Sequence, residues 1–580
     1  MTDIRRTVLW VVFTMSLILL WDGWQKYNGH DSLFLRAAPR VAAAGSAPVP
    51  AASSATTTPA LAAAAPAQAA SGVAQAVAES LVIHTDVMNV TLNTKGGDVT
   101  RVELLKYQQT PVQDVKDSLL EMIGIEKKPE VKADPIVLLD PTRSYVAQSG
   151  LLGSKKEALI THDVVLTALP GERTLKDGQN QLVVKMESPE LNGVKLIKTF
   201  TFTRGEYLVG VKHEVVNVGS APVTPHLYLQ LARVNEQVAH GVFMAPSSFT
   251  GPAIYTDKAK FQKFEFAAIE KAAKEGKTVE METTASDGWV AMVQHYFTSA
   301  WLPESTGQRE FFVRQVPNTV PQQYSVGMLF DLPQLAPGAT ATQSDRLFVG
   351  PQEENKLAGL APGLQLVKDY GIFKVLSQPL FWLLDHLHQM IGNWGWAIIA
   401  LVVLLKIAFF WLNASAYRSM AKMKALNPKI QAMRERLKDK PQEMQQEMMR
   451  IYKEEKINPI GSCLPILLQM PFFMGLYWVL LSSVEMRGAP WLGWITDLSQ
   501  RDPYFILPLI LTASSLLQVA LNPKAPDPVQ AKMMWIMPLA FSVMFFVFPS
   551  GLVLYWLTNN ILSIAQQWLI NKKMGVSNNA

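Results

Sequence analysis

Lys406 lies in Trp394 to Leu412, a stretch otherwise apolar, and is the only charge in any candidate membrane span of the C-terminal third. An ammonium at mid-span costs roughly 2.5–3.5 kcal/mol on insertion scales, so a use for it is expected. The neighbouring candidates carry uncharged polar groups at helical spacings. Asn413 follows Lys406 by seven residues, Gln469 precedes Phe473 by four, and Ser514, Ser515 and Gln518 cluster together. Trp556, Asn560, Ser563 and Gln567 step by four, three and four along one helical face. Amides and ammonium groups facing lipid are costly, so these faces are expected to converge on one another around a wet, positively charged cavity open to the cytoplasm. Two blander readings compete. Intramembrane Ser, Asn and Gln often serve as interhelical glue worth under ~1 kcal/mol each, and a lysine near a span end can snorkel to the headgroups.

Other chemistries find little footing. A single cysteine, Cys463, excludes an internal disulfide and a thiolate cluster. His386 and His388 stand two apart, off a common helical face, and so do not form a metal pair. Gly276-Lys277-Thr278 lacks the earlier glycine of a phosphate loop, because Lys271 stands there. No cofactor or metal is expected, and the net charge of +5 is too small to point to direct nucleic-acid recognition. A secondary transporter using Lys406 as a proton relay is the principal alternative. Against it, the candidate spans hold no acidic residue and show no inverted repeat.

The elements that must position these residues follow from texture. Five apolar runs read as spans: Trp394–Leu412, Leu464–Ser482, Tyr504–Leu521, Met533–Phe548 and Gly551–Ile570, each near the ~20 residues a bilayer requires. A sixth, Thr7 to Trp21 within residues 1–27, follows Arg5-Arg6. Its length and the exit tryptophans, Trp21 and Trp24, suit an uncleaved anchor better than a signal peptide. Residues 28–80 are dominated by Ala, Pro, Ser and Thr and read as a disordered tether. Residues 81–355 read as a β-rich domain. Met88, Val90 and Leu92 alternate up to a Gly96-Gly97 turn, and Phe200 and Phe202 turn at Arg204-Gly205-Glu206 into Tyr207, Val209 and Val211. Helical interruptions are expected near Val112–Ile123 and Lys258–Glu275. Residues 356–393 read as an amphipathic interfacial helix running from Leu364 to Met390. The fold class is therefore α+β, a polytopic helical bundle at 394–573 carrying a large antiparallel sandwich, with a short tail at 574–580.

Loop charge sets the orientation. The loop between the second and third spans is strongly basic, Lys572 and Lys573 close the last span, and the turn at Pro549-Ser550-Gly551 has no charge. Both termini and the basic loop are expected in the cytoplasm, with residues 28–393 largely in the periplasm of a bacterial inner membrane. Within the basic loop, residues 414–457 read as a helical hairpin broken at Lys440-Pro441. Met420, Met423, Met433, Met444, Met448 and Met449 supply much of its apolar surface, either to accept varied partners or to zip the hairpin together.

Several ordered motifs carry a family likeness. Ser419-Met420-Ala421-Lys422-Met423, Gln431-Ala432-Met433-Arg434-Glu435-Arg436, Asn458-Pro459-Ile460-Gly461, Gln469-Met470-Pro471 and Phe548-Pro549-Ser550-Gly551-Leu552 closely resemble the YidC/Oxa/Alb membrane insertases, in particular their bacterial members with a large periplasmic domain. The resemblance implies a periplasmic β-supersandwich and a five-span core around a groove open to cytoplasm and lipid. It implies a substrate slide including Met470, Phe473, Met544 and Trp556, with no enzymatic chemistry. Implied partners are nascent membrane proteins, the translating ribosome, the Sec translocon with its accessory subunits, and membrane lipids. One departure stands out. The groove charge of the family is usually an arginine, and Lys406 keeps the charge without the bidentate fork. Another familiar polar position falls at Val402, where no hydroxyl is available.

Overall fold

The computed structural model describes residues 77–109, 134–155, 158–235, 249–437, 440–455, 464–522 and 528–573. The expected anchor, most of the tether, the helix near Val112–Ile123, Cys463 and the tail lie outside these residues.

The alternating segments form two packed sheets, one of ten strands and one of nine, and every pairing between named strands is antiparallel. Met88–Asn93 buries every second residue, as a strand with one face on a core must. The chain then reverses at Gly96 and Gly97, both in the left-handed region (φ 73° and 63°). A Cβ at Gly96 would meet the His162 carbonyl oxygen at 2.6 Å, so the close approach requires glycine. Val194–Thr203 pairs with Leu208–Asn217 across the Arg204-Gly205-Glu206 turn. Between the sheets lie Phe200, Phe202, Trp301, Tyr145, Phe311 and Tyr324. The Trp301 indole N–H donates to the Gln230 carbonyl at 3.1 Å, satisfying its one polar atom. Lys258–Glu275, expected as a helix, instead begins with the strand Lys260–Lys263. Only Phe266–Lys274 (α1) is helical, with Phe266 and Ile269 buried.

A polar seam crosses this core. The Lys198 ammonium donates to Ser149 Oγ at 2.7 Å, His213 Nε2 lies 2.9 Å from the same oxygen, and Gln148 Nε2 donates to Asp98 Oδ2 at 2.9 Å. Burial pushes the Asp98 carboxyl up and the Lys198 ammonium down, since neither charged form has water around it. Burial likewise holds the His213 imidazole below its ordinary 6.5, so it folds neutral. A depressed histidine contributes stability that is complete above pH 6.5 and drains away as pH falls, because the unfolded chain takes the proton more readily. In urea titrations of the whole protein, the stability difference between wild type and His213→Gln should shrink below pH 6.5, by at most about 1.4 kcal/mol per pH unit. A difference that does not change with pH would refute the buried-neutral assignment.

Glu354–Leu360 (α2) and two short 3-10 turns at Leu364–Val367 and Gly371–Phe373 lead from the sandwich to Lys374–Ile391 (α3). The continuous helix expected from Leu364 is thus absent before Lys374. Leu364 and Val367 plug into the sandwich core, and Gly363 at φ 73° turns the chain there. Leu380, Phe381 and Leu384 of α3 face the helices, whereas Val375, Trp382 and Met390 are exposed. Trp394–Ala408 (α4) is capped by Asn393, whose Oδ1 accepts from the Trp396 N–H. Phe410–Arg436 (α5) and Pro441–Glu454 (α6) form the hairpin. Leu464–Ser482 (α7), Ile506–Leu521 (α8), Pro528–Phe545 (α9) and Ser550–Lys573 (α10) complete the helical unit. Helix α8 starts two residues later than expected because buried Asp502 accepts from the Tyr504 and Leu507 N–H groups, with Phe505 at φ 56° between them.

Among the described residues no single helix is long and apolar enough to cross a membrane. The α4 segment and Phe410–Ser419 of α5 pass that test only together, bent by 66°. The straight Trp394–Leu412 run expected from the sequence is therefore broken, at Phe409. At this break the Phe409 ring meets Phe472 edge-on, centroids 5.1 Å apart, and the Phe409 N–H closes the last turn of α4.

The sandwich and the helices meet through a buried ion cluster. Lys368, its side chain sealed from solvent, reaches Glu485 Oε2 at 3.1 Å and Oε1 at 3.3 Å, and sits 3.6 Å above the Phe381 ring. Tyr370 donates to Glu354, and Lys263 pairs with Asp369 at 2.8 Å. Next to Glu485, Val484 enters the sandwich core while Met486 enters the helical core.

Candidate functional site

Helix α10 is the hub of the helical unit, touching α4, α5, α7 and α8. Its buried face begins with Ser550, whose hydroxyl donates to the Asp497 carbonyl at 3.0 Å and fixes the entry of the helix. The polar residues of α10 do not all meet in one cavity, as the sequence suggested, but sort among three neighbours. Ser563 faces α4, where the Lys406 ammonium donates to its hydroxyl at 2.7 Å. Asn560 faces α8 and donates to Ser515 at 2.9 Å and, more weakly, to Ser514 at 3.4 Å. Gln567 donates to Asn522 at 3.0 Å, and Gln566 to the Phe410 carbonyl at 3.1 Å, at the bend.

Lys406 is half-buried, and its ammonium turns inward onto α10 instead of reaching along its own helix. This geometry disfavours simple snorkelling. No carboxylate of a described residue lies within ion-pair distance of it. The cation is held by a hydroxyl, a partner that orients it without neutralising it. One helix over, Gln469 Nε2 donates to Asn413 Oδ1 at 2.8 Å and ties α7 to α5, while the buried Asn413 amide nitrogen has no partner among the described residues.

An aromatic wall forms where α7, α9 and α10 meet. Trp556 packs on Phe473 (centroids 4.7 Å apart), edge-on to Phe545 (4.8 Å) and parallel to Phe548 (6.3 Å). Met544 packs against the same core, whereas Met470 is about half exposed and stands outside it. Of the four expected slide residues, three thus cluster. Val402 is buried among apolar side chains. In the hairpin, Met433, Met444 and Met448 pack with Ile430, Ile451 and Leu426 into a core of their own, the zipping arrangement. Met449, also expected on the hairpin's apolar surface, is exposed. The side chains of Met420 and Met423 lie outside the described ones.

Gln518 lines a separate cavity of about 290 Å³ between α8, α9 and α10, with Ser515, Asn522, Asn560 and Trp556. Lys406 is not part of its wall. In the sandwich, Ser149, His213 and Asp345 stand in a row reminiscent of a hydrolytic triad, but His213 Nδ1 is 3.6 Å from Asp345 Oδ2 and all three are sealed between the sheets. Among the described residues no group of three potential ligands is placed to hold a metal.

Comparison with known proteins agrees in both halves. A family model described as the YidC periplasmic domain matches residues 80–383, and one described as 60Kd inner membrane protein matches residues 386–577. The membrane protein insertase YidC of Cupriavidus necator is 51% identical over 99% of this chain and 98% of its own. That of Ralstonia nicotianae is 47% identical over 100% and 99%, and that of Burkholderia cenocepacia 47% over 99% of each. A crystal structure of an active YidC insertase covers 84% of this chain and 91% of its own at 17% identity, with a TM-score of 0.38, too loose a match to carry structural argument. At about half identity over nearly its whole length, the chain belongs to the YidC family of membrane protein insertases.

Proposed function

We propose that this chain is an inner-membrane insertase with a periplasmic domain, and that it moves hydrophobic segments of newly made membrane proteins into the lipid bilayer. The observation that carries the reading is Lys406: a half-buried cation, turned inward on Ser563, in a helical unit that also holds an aromatic wall of Phe473, Phe545 and Trp556. Such a group attracts an acidic flank on an incoming polypeptide, while the wall offers its apolar segment a surface continuous with lipid. Each Leu, Ile, Phe or Val reaching the bilayer centre gains about 0.3–0.6 kcal/mol, so a whole span supplies several kcal/mol and no nucleotide is needed. Lys406, Gln469, Ser514, Gln518, Asn560, Ser563 and Gln567 are proposed as the polar lining of the route, and Met470, Phe473, Met544 and Trp556 as its slide. The core is proposed to cross the membrane five times, with an N-terminal anchor as a sixth span and both termini in the cytoplasm. There the methionine-bearing hairpin would receive clients from the ribosome, and the Sec translocon would work beside it for some of them. The transporter alternative gains no support, since Lys406 has no acidic partner among the described residues with which to exchange protons.

Photoreactive probes on the wild-type background test the route. Probes at Gln469, Met470 and Trp556 should capture a ribosome-stalled membrane protein, whereas probes at exposed Leu509 or Ile536, on other faces, should capture it several-fold less. Equal capture from all positions would show nonspecific contact and sink the reading.

A further inference from the structure

The cavity beside Gln518 has a composition the Lys406 site lacks. Among the described residues its polar wall is uncharged, and the hydrogen-bonding capacity of these groups is only partly used by one another. Asn560 spends its N–H₂ on Ser515 and Ser514, leaving its carbonyl without a described partner. Asn522 accepts from Gln567, leaving its N–H₂ free of described partners, and the Gln518 amide bonds to no described residue. Donors and an acceptor thus converge on one space. The opposite wall is apolar, with Met537, Phe541 and Trp556. Met537 and Phe541 are themselves about half exposed, so this apolar wall continues outward from the cavity along α9.

At about 290 Å³ the space lies at the small end of ligand pockets, enough for a side chain with its immediate surroundings and too little for a whole helix. With no cation or carboxylate among its described lining residues, it selects against charged groups, which would meet no counter-ion there. The matching occupant is a neutral amide or hydroxyl flanked by apolar residues. An Asn, Gln, Ser or Thr in the middle of an otherwise apolar segment has that chemistry, and it lacks a hydrogen-bond partner until its own helix packs against another.

We propose that this cavity is a second, uncharged station of the insertase, which lodges the polar side chain of an incoming span while the flanking apolar residues lie on α9. The inference rests on the insertase reading and adds a class of client to it: spans carrying a central uncharged polar residue. Lys406 would serve the acidic flank of a client, and the Gln518 cavity its mid-span amide.

The test uses twin clients with the same acidic flank, identical except for Leu or Asn at the centre of the span, inserted into vesicles containing the full-length protein. The readout is the Asn-to-Leu ratio of inserted product. In Gln518→Leu the ratio should fall about fivefold, the scale of one or two interhelical hydrogen bonds, and in Gln518→Asn it should return towards the wild-type value. Lys406→Ala should lower both twins together and leave the ratio unchanged. In parallel, a photoreactive residue replacing Val519, which lines the cavity, should capture the client at its central position in the Asn twin. This arm decides the matter if Gln518→Leu fails to accumulate. An unchanged ratio in Gln518→Leu, or capture of lipid alone at position 519, overturns the station while leaving the insertase reading intact. If neither twin needs the protein for insertion, both fall together.

Discussion

Replacing Lys406 by alanine should slow insertion of clients with Asp or Glu in the translocated flank by roughly thirtyfold, and replacing it by arginine should restore most of the loss. The estimate starts from two opposite unit charges about 8 Å apart, which at an effective dielectric near 20 attract by about 2 kcal/mol; each ~1.4 kcal/mol off a barrier is tenfold in rate. The Ser563 hydroxyl orients the ammonium without cancelling its charge, so this attraction is available to a client. Clients with uncharged flanks should lose far less, because for them the aromatic wall and the lipid beyond supply the drive. The arginine variant separates charge from hydrogen-bond geometry. A guanidinium keeps the cation and adds donors, so rescue means that charge is what counts. The measurement is the rate of protease-protected product at equal protein level, for clients differing only in flank charge. Equal rates for alanine and wild type on acidic-flank clients would remove electrostatic attraction from the mechanism.

How far the sequence disclosed this arrangement depends on the range of the signal. Period-2 burial in Met88–Asn93 and the turn after Thr203 are local, and the strands fell where the pattern put them. The polar residues of α10 were also visible, but not their sorting. Asn560 and Ser563 are three residues apart, about 60° around the helix, and a helix in a bundle touches a different neighbour on each side of such an arc. One therefore meets α8 and the other α4, and a stripe that looks like one site serves two. The bend at Phe409 carries no Pro or Gly to announce it, and the ring that Phe409 meets there, Phe472, is 63 positions away. Met433, Met444 and Met448 have the composition of a partner surface, yet the two hairpin helices bury them against each other. Composition alone does not decide between those fates. Lys368 and Glu485 were the least legible. Each reads as an ordinary charge near a membrane interface, and only the fold brings them together across 117 positions.

That pair yields the other large effect. Lys368→Met should destabilise the joint between the sandwich and the helices by about 3–5 kcal/mol, the usual cost of removing one partner of a buried ion pair. Methionine keeps most of the stem that covers Phe381, so lost packing contributes little, and the effect isolates the charge. Without the ammonium, Glu485 has no other cation among the described residues within ion-pair distance, and Glu354, 4.0 Å from Lys368 in the intact cluster, adds a second carboxylate to the same enclosure. Glu485→Gln in the Lys368→Met background should recover a large part of the loss, since a neutral amide does not need the missing cation. Such recovery would separate an electrostatic joint from a merely well-packed one. The local readout is hydrogen exchange at 364–370 and 483–487, because Val367 and Val484 are both anchored in the sandwich core and should loosen together. Protection of these segments in Lys368→Met equal to wild type, with a change in unfolding free energy under about 0.5 kcal/mol, would mean the buried ions do not hold the joint. The Val484 and Leu364 plugs would then have to bind the periplasmic domain to the helical core by apolar contact alone.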